Sequence, residues 1–98
     1  ASRAQGLPRY ETLQPLYNLY DREDFERNFA PLCRAEGIGV INFYSLASGF
    51  LTGKYRTAQD VSASARQRSN RKYMTERGFR ILHALDAVAT RTGSKPAQ

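Results

Sequence analysis

Between Gly37 and Tyr55 a short apolar run, a string of small residues and a cation fall in one stretch. Ile38 to Phe43 is short and rich in β-branched residues, as a strand requires. It runs into Tyr44-Ser45-Leu46-Ala47-Ser48-Gly49 and on to Gly53-Lys54-Tyr55. Small residues after a strand present backbone N–H groups, and the lysine adds a full positive charge. That combination is suited to holding a phosphate.

Other reactive side chains are sparse. Cys33 is the single cysteine, which excludes an internal disulfide framework and a multi-cysteine zinc site. It falls on an apolar helical stripe and reads as a small buried hydrophobe, so a reducing, cytoplasmic setting fits best. His83 has no second His, Cys or paired carboxylate at ligand spacing, and no metal site or catalytic group is expected from it. The net charge of +6 favours anionic partners: a nucleotide cofactor, nucleic acid or a membrane surface. Arg66 to Arg80 is the densest basic stretch, but it carries no recognisable nucleic-acid module and reads as a solvated face. No apolar run approaches the ~18 residues of a membrane span.

The phosphate-type loop needs elements to position it, and the chain supplies them in order. Tyr10 to Gln14 is partly alternating and reads as a strand ended by Pro15. Leu16 to Tyr20 reads as an irregular connection that packs its aromatics. Asp21 is placed as an N-cap, and Phe25, Phe29, Leu32 and Cys33 form one stripe at helical spacing, stopped by Gly37. Pro31 interrupts that stripe, which predicts a kink or a new helix start near Asn28. Strand, helix and strand in succession are the rhythm of a βαβ unit with parallel strands. Residues 56–71 are poor in large apolar side chains and read as a flexible basic loop. A last helix is predicted from Arg71 or Lys72 to Thr92, with Ile81, Leu82, Leu85, Val88 and Ala89 on its apolar side and Gly78 as a weak point.

With these elements in place, the chain resembles the aldo-keto reductases, in particular the bacterial branch near the potassium channel β-subunits. Leu13-Gln14-Pro15-Leu16-Tyr17-Asn18-Leu19 is similar to that family's Q-x-x-Y-N segment. Pro31-Leu32-Cys33-Arg34-Ala35-Glu36-Gly37-Ile38-Gly39-Val40-Ile41 resembles P-L-C-R-E-x-G-I-G-V, and Leu46 to Tyr55 resembles L-A-x-G-x-L-T-G-K-Y. Ile81 to Ala89 and Pro96-Ala97-Gln98 are similar to the following helix and the start of the next. Each fragment is short, but together they keep the family's order and spacing over nearly all of residues 1–98.

The resemblance implies an α/β fold, namely a slice of a (β/α)8 TIM barrel. The slice comprises two parallel strands, the sixth and seventh, with crossover and covering helices, as one fragment of a single barrel domain. It implies an NADP-dependent oxidoreductase that moves hydride between the cofactor and a small carbonyl or alcohol substrate. Gln14 matches the glutamine that hydrogen-bonds the nicotinamide carboxamide, and Phe43 the aromatic that stacks on the ring. Tyr44, Ser45, Leu46, Ser48 and Gly49 fall in the loop that wraps the pyrophosphate, and Lys54 matches a lysine that neutralises cofactor phosphate. Where the family shows an aromatic followed by Ser-Pro-Leu, this chain has Phe43-Tyr44-Ser45-Leu46, so a phenol replaces a small hydroxyl and the proline is lost. No residue matches the family's catalytic Asp, Tyr, Lys and His, and the part that holds the cofactor's adenosine is also unmatched, so the chain by itself is expected to be inactive and to bind NADP weakly or not at all. The alternative is a non-catalytic binding or assembly fragment that self-associates through open strand edges.

Overall fold

A computed structural model describes residues 2–62 and 67–98. The two strands pair in parallel, β1 (Thr12–Leu13) with β2 (Gly39–Val40), Thr12 opposite Gly39 and Leu13 opposite Val40. Both are shorter than the sequence predicts, because Pro15 and the turn beyond it bend the first strand away. The ladder nevertheless runs further than the regular strands do. The N–H groups of Gly39, Ile41 and Phe43 donate to the carbonyls of Glu11, Leu13 and Pro15 at 2.9, 3.0 and 3.0 Å, and Leu16 bridges Phe43. Pro15, lacking an N–H, takes part through its carbonyl alone.

The crossover between the strands has a wide turn in it. Residues 25–29 form a π-helical turn that leads into α1 (Ala30–Glu36). Pro31 explains this: in an α-helix its ring would press on the carbonyl of Arg27 and its missing N–H would leave that carbonyl without a donor. One extra residue in the preceding turn relieves both problems. Gly37, at φ 63°, ends α1 with its N–H on the Cys33 carbonyl, as the sequence predicts. Cys33 is buried and unpaired, and Val40 and Phe25 line the same small hollow beneath α1.

Asp21 is not a helix cap. Its carboxylate instead accepts from the Tyr73 hydroxyl at 2.8 Å and pairs with the Lys72 ammonium at 2.9 Å, far along the chain. The connection before it packs its aromatics as expected, Tyr17 on Phe25 with centroids 4.7 Å apart and Tyr20 edge-on to Tyr73 at 5.1 Å. Burial of the Asp21 carboxyl pushes its pKa up, but Lys72, Tyr73 and Asn18 together outweigh this and hold it below the ordinary carboxylate value. The folded value therefore lies below the unfolded one. The stability Asp21 contributes is complete above the unfolded pKa and is lost as pH falls through the folded one. Thermal unfolding followed between pH 6 and pH 2 is expected to show a steeper acid loss in the wild-type chain than in an Asp21→Asn variant.

The main core lies on the other side of the loop. Ala47, Phe50, Leu51, Tyr55, Tyr73 and Leu82 are buried together, with Tyr20, Met74, Phe79, Ile81 and Leu85 packed around them. Phe50 is fully buried, stacked on Tyr73 at 5.7 Å and edge-on to Phe79 at 6.2 Å. The final helix α4 (Glu76–Thr92) starts later than predicted, since Thr75 caps it by accepting from the Gly78 N–H, and it ends at Gly93. Gly78, Leu82 and Ala89 are its buried residues and Ile81 and Leu85 pack against the core, whereas Val88, predicted on the same apolar side, is exposed.

Residues 56–71, predicted as a flexible basic loop, carry helical turns at both ends: α2 (Ala58–Ser62) and α3 (Gln67–Arg71). Thr57 and Asp60 cap α2 reciprocally, and Asp60 also accepts from the Arg56 N–H at 2.8 Å. The Arg56 guanidinium forks onto both oxygens of Asp86 on α4 at 2.8 Å each, so this basic side chain fastens the segment to the helix. Asn70 on α3 is buried with its amide unpaired among the described residues, a cost the remaining packing offsets.

Candidate functional site: a cleft after the second strand

The chain leaves β2 in a conformation that few residue types tolerate. Tyr44, Ala47 and Ser48 have φ of 57°, 49° and 58°, and Gly49 follows at 93°. Left-handed backbone at three residues other than glycine is disfavoured and persists only where neighbouring contacts enforce it. Here the buried Ala47, Phe50 and Leu51 anchor the far end of the loop in the core. The near end is tied down by side-chain amides: Asn42 donates to the Tyr17 carbonyl and to Ser45 Oγ at 3.0 Å each, and Asn18 donates to the Tyr44 carbonyl at 3.1 Å.

The result is an open cleft of about 630 Å³ lined by Tyr44, Ser45, Leu46, Ser48, Gly49, Thr52, Lys54 and Ser69. The structure thus brings together the whole predicted loop set and Lys54. Within it the backbone folds into short 3-10 turns, interrupted at Ser48 and Gly49 and closed by Gly53. Among the described residues, no protein acceptor takes the N–H groups of Tyr44, Ser45 and Leu46. Gly49 lets the lysine lie close: a Cβ there would sit 3.3 Å from Lys54 Cε and 3.5 Å from its Nζ. The ammonium rests over the Tyr55 ring at 4.9 Å, and among the described residues no carboxylate pairs with it. Hydroxyls of Ser45, Ser48 and Ser69 line the cleft around the Lys54 ammonium, while Thr52 donates its hydroxyl proton to the Gly49 carbonyl at 2.7 Å. Chemically the arrangement suits an anion with several oxygens, such as a phosphate or pyrophosphate.

A second cleft, about 380 Å³, opens beside Tyr20, Asp21, Arg22, Asp24, Arg27 and Arg77. Its cations are committed elsewhere: Arg22 pairs with Glu26 at 2.7 Å, Arg27 with Glu23 at 2.9 Å, and Arg77 donates to the Tyr20 carbonyl at 2.9 Å. The Glu26 carboxylate raises the Arg22 pKa through their hydrogen bond, and the same bond lowers that of Glu26. Paired surface ions of this kind offer an anion little.

Gln14 and Phe43 do not line the cleft. Gln14 follows β1 and is exposed, and Phe43 is about 40% exposed. The constant parallel register sets Gln14, Leu16, Ile41 and Phe43 on one face of the sheet, opposite the face that meets α1. That face is open, with Ile41 61% exposed, and Phe43 touches Tyr44 at a centroid distance of 5.2 Å. It therefore leads up to the mouth of the cleft. Thr52, Ser69 and Asn42 were given no role from the sequence, and Asn18 entered only as the Asn of the segment similar to Q-x-x-Y-N. Thr52 lies inside the stretch that resembles L-T-G-K-Y and could have been read, whereas Ser69 reaches the cleft only through the packing of α3.

Among the described residues no group of His, Cys, Asp and Glu could hold a metal, and no helix is long and apolar enough to cross a membrane. Parallel strands joined through a helix, with a loop of small residues at the carboxyl end of the second, define an α/β protein. Residues 2–98 match the aldo/keto reductase family, and the chain belongs to it. It is 34% identical over 90 residues to a probable voltage-gated potassium channel subunit beta of Oryza sativa subsp. japonica, covering 87% of this chain and 27% of that protein. To Protein tas of Escherichia coli K12 it is 32% identical over 94 residues, covering 94% of this chain and 27% of that protein. To L-glyceraldehyde 3-phosphate reductase of the same organism it is 31% identical over 91 residues, covering 87% and 26%. The chain thus spans about a quarter of the length of these relatives. No solved structure gave a significant match.

Proposed function

We propose that this chain carries the phosphate-binding side of the cofactor site of an NADP-dependent aldo-keto reductase, a cytoplasmic oxidoreductase acting on small carbonyl or alcohol substrates. The observation that supports it best is the gathering of Tyr44, Ser45, Leu46, Ser48, Gly49 and Lys54 around one cleft, with an ammonium that no carboxylate pairs among the described residues. Those residues fit a dinucleotide's phosphates by chemistry: backbone and hydroxyl donors surround the oxygens and Lys54 offsets their charge. Gln14 and Phe43, on the open sheet face beside the cleft, are proposed to meet the nicotinamide, the amide through hydrogen bonds and the ring through stacking. When bound, NADPH supplies the hydride.

In this reading the chain holds binding residues and no proton donor of the family's kind. NADPH oxidation with a panel of aldehydes is expected to stay at the uncatalysed rate with the 98-residue chain, whose binding of NADP+ is expected to be weak. Measurable turnover would show that a catalytic group has gone unrecognised.

The open sheet supports a second reading, self-association. A two-stranded sheet has both edges free, and Leu16, Ile41 and Phe43 leave apolar surface on one face. A monomeric mass by light scattering across a range of concentrations would dispose of it.

A further inference from the structure

Asn18 is 6% exposed, and its amide ties the turn at Tyr20 and Asp21 to the backbone at Tyr44. Its Oδ1 accepts from the N–H groups of Tyr20 and Asp21 at 2.8 Å each, closing a tight turn. Its Nδ2 donates forward to the carbonyl of Tyr44 at 3.1 Å and to Asp21 Oδ2 at 3.3 Å. Only an amide offers two donors and a two-fold acceptor in so short a side chain. Aspartate would keep the accepted bonds and lose the donor, and serine could not span both sides.

The recipient of that donor is the residue at which the backbone first turns left-handed. Tyr44 has φ 57°, a conformation glycine adopts freely and an aromatic residue does not. Among the described residues no protein acceptor takes its N–H or the two that follow, and their directions depend on this one dihedral region. We propose that Asn18 is the positioning residue of the cleft: by clamping the Tyr44 carbonyl it holds Tyr44 left-handed and keeps the loop's N–H groups arranged for phosphate. Asn42 makes the reciprocal tie, from the second strand to the Tyr17 carbonyl at 3.0 Å, so the two connections are buttoned to each other from both sides. Asp21 extends the clamp to Tyr73 and Lys72 beyond α3. The cleft's shape is thereby set by a side chain that is not among its lining residues.

The link from Asn18 to phosphate affinity rests on the proposed cofactor reading, whereas the link from Asn18 to the Tyr44 backbone does not. The experiment separates them with Asn18→Ala, Tyr44→Gly and the double variant, each in the 98-residue chain. The three-bond amide coupling of residue 44 and the amide shifts of residues 44–46 are read without ligand, and the Kd for NADP+ is then measured. Asn18→Ala is expected to move Tyr44 out of the left-handed region and to raise the Kd at least about fivefold, whereas in the Tyr44→Gly background it raises it less than about twofold. Equal losses in both backgrounds, or an unchanged Tyr44 coupling, would overturn the proposal, because loss of general stability has no reason to depend on residue 44. Should Asn18→Ala not fold, Asn18→Asp keeps the accepted N–H bonds and removes the donor, and wild-type affinity in that variant would equally overturn it. If the wild-type chain binds no NADP+, the cofactor reading falls and the Tyr44 coupling alone decides whether Asn18 is the clamp.

Discussion

Gly78→Ala is expected to destabilise the chain by about 3 kcal/mol, lowering the Tm by more than about 10 °C. Helix propensity alone predicts the opposite sign, a gain of up to about 1 kcal/mol from replacing glycine with alanine inside a helix. Packing decides the matter. A Cβ at Gly78 would overlap the Tyr73 carbonyl oxygen and sit 3.1 Å from Phe50 Cζ. The carbonyl belongs to the backbone, and Phe50 is fully buried among Tyr73 and Phe79, so neither neighbour can swing away. Gly78 is thus the point where α4 closes onto the loop-bearing core, and it keeps its N–H free to bond Thr75 Oγ1 at 3.1 Å. Thermal denaturation by circular dichroism checks the prediction. An unchanged or raised Tm for Gly78→Ala would show that α4 does not approach so closely.

Lys54→Met is expected to weaken NADP+ binding by at least about tenfold, the loss of one charge-assisted contact worth roughly 1.5–3 kcal/mol. The same change should flatten the dependence of affinity on salt, since screening acts on the charge that has been removed. Methionine keeps most of the stem, so the packing against Gly49 and Tyr55 is preserved while the ammonium is lost. Lys54→Arg is expected to fall between the two, because the wider guanidinium must fit where a Gly49 Cβ would already crowd the lysine. Isothermal titration at two salt concentrations separates these outcomes. An unaltered Kd in Lys54→Met would leave the cation outside the site.

Much of this arrangement was legible in the residues themselves. The parallel pairing through a helix, the end of α1 at Gly37 and the disturbance at Pro31 follow from local chemistry that tertiary contacts did not override. The loop residues and Lys54 that line the cleft stand together in the chain as strand, small residues and cation, and contiguity is what a sequence displays. What was missed is long-range. Asp21 looks like a cap by composition and proximity, yet its partners Lys72 and Tyr73 lie across the fold. Gly78 looks like a flaw in a helix because the Tyr73 carbonyl it makes room for, in the turn just before α4, is held in place by Tyr73 stacking on the distant Phe50. Asn18 and Asn42 look like ordinary connection residues, since the carbonyls they bind are fixed only once both strands are paired. The strands were overestimated in length for a related reason. Pro15 ends the regular pairing of the first strand, but its carbonyl still serves the second.

The cleft between Tyr44 and Lys54 is proposed to bind the phosphates of a nicotinamide dinucleotide. Titration of the isotopically labelled 98-residue chain with NADP+, followed residue by residue in the amide spectrum, tests it most directly. The prediction is saturable shifts at Tyr44, Ser45, Leu46, Ser48, Gly49 and Lys54, weaker ones at Gln14 and Phe43, and none in the cleft lined by Arg22 and Arg27. Absence of any shift at millimolar NADP+, or shifts confined to the Arg22 and Arg27 cleft, would contradict it.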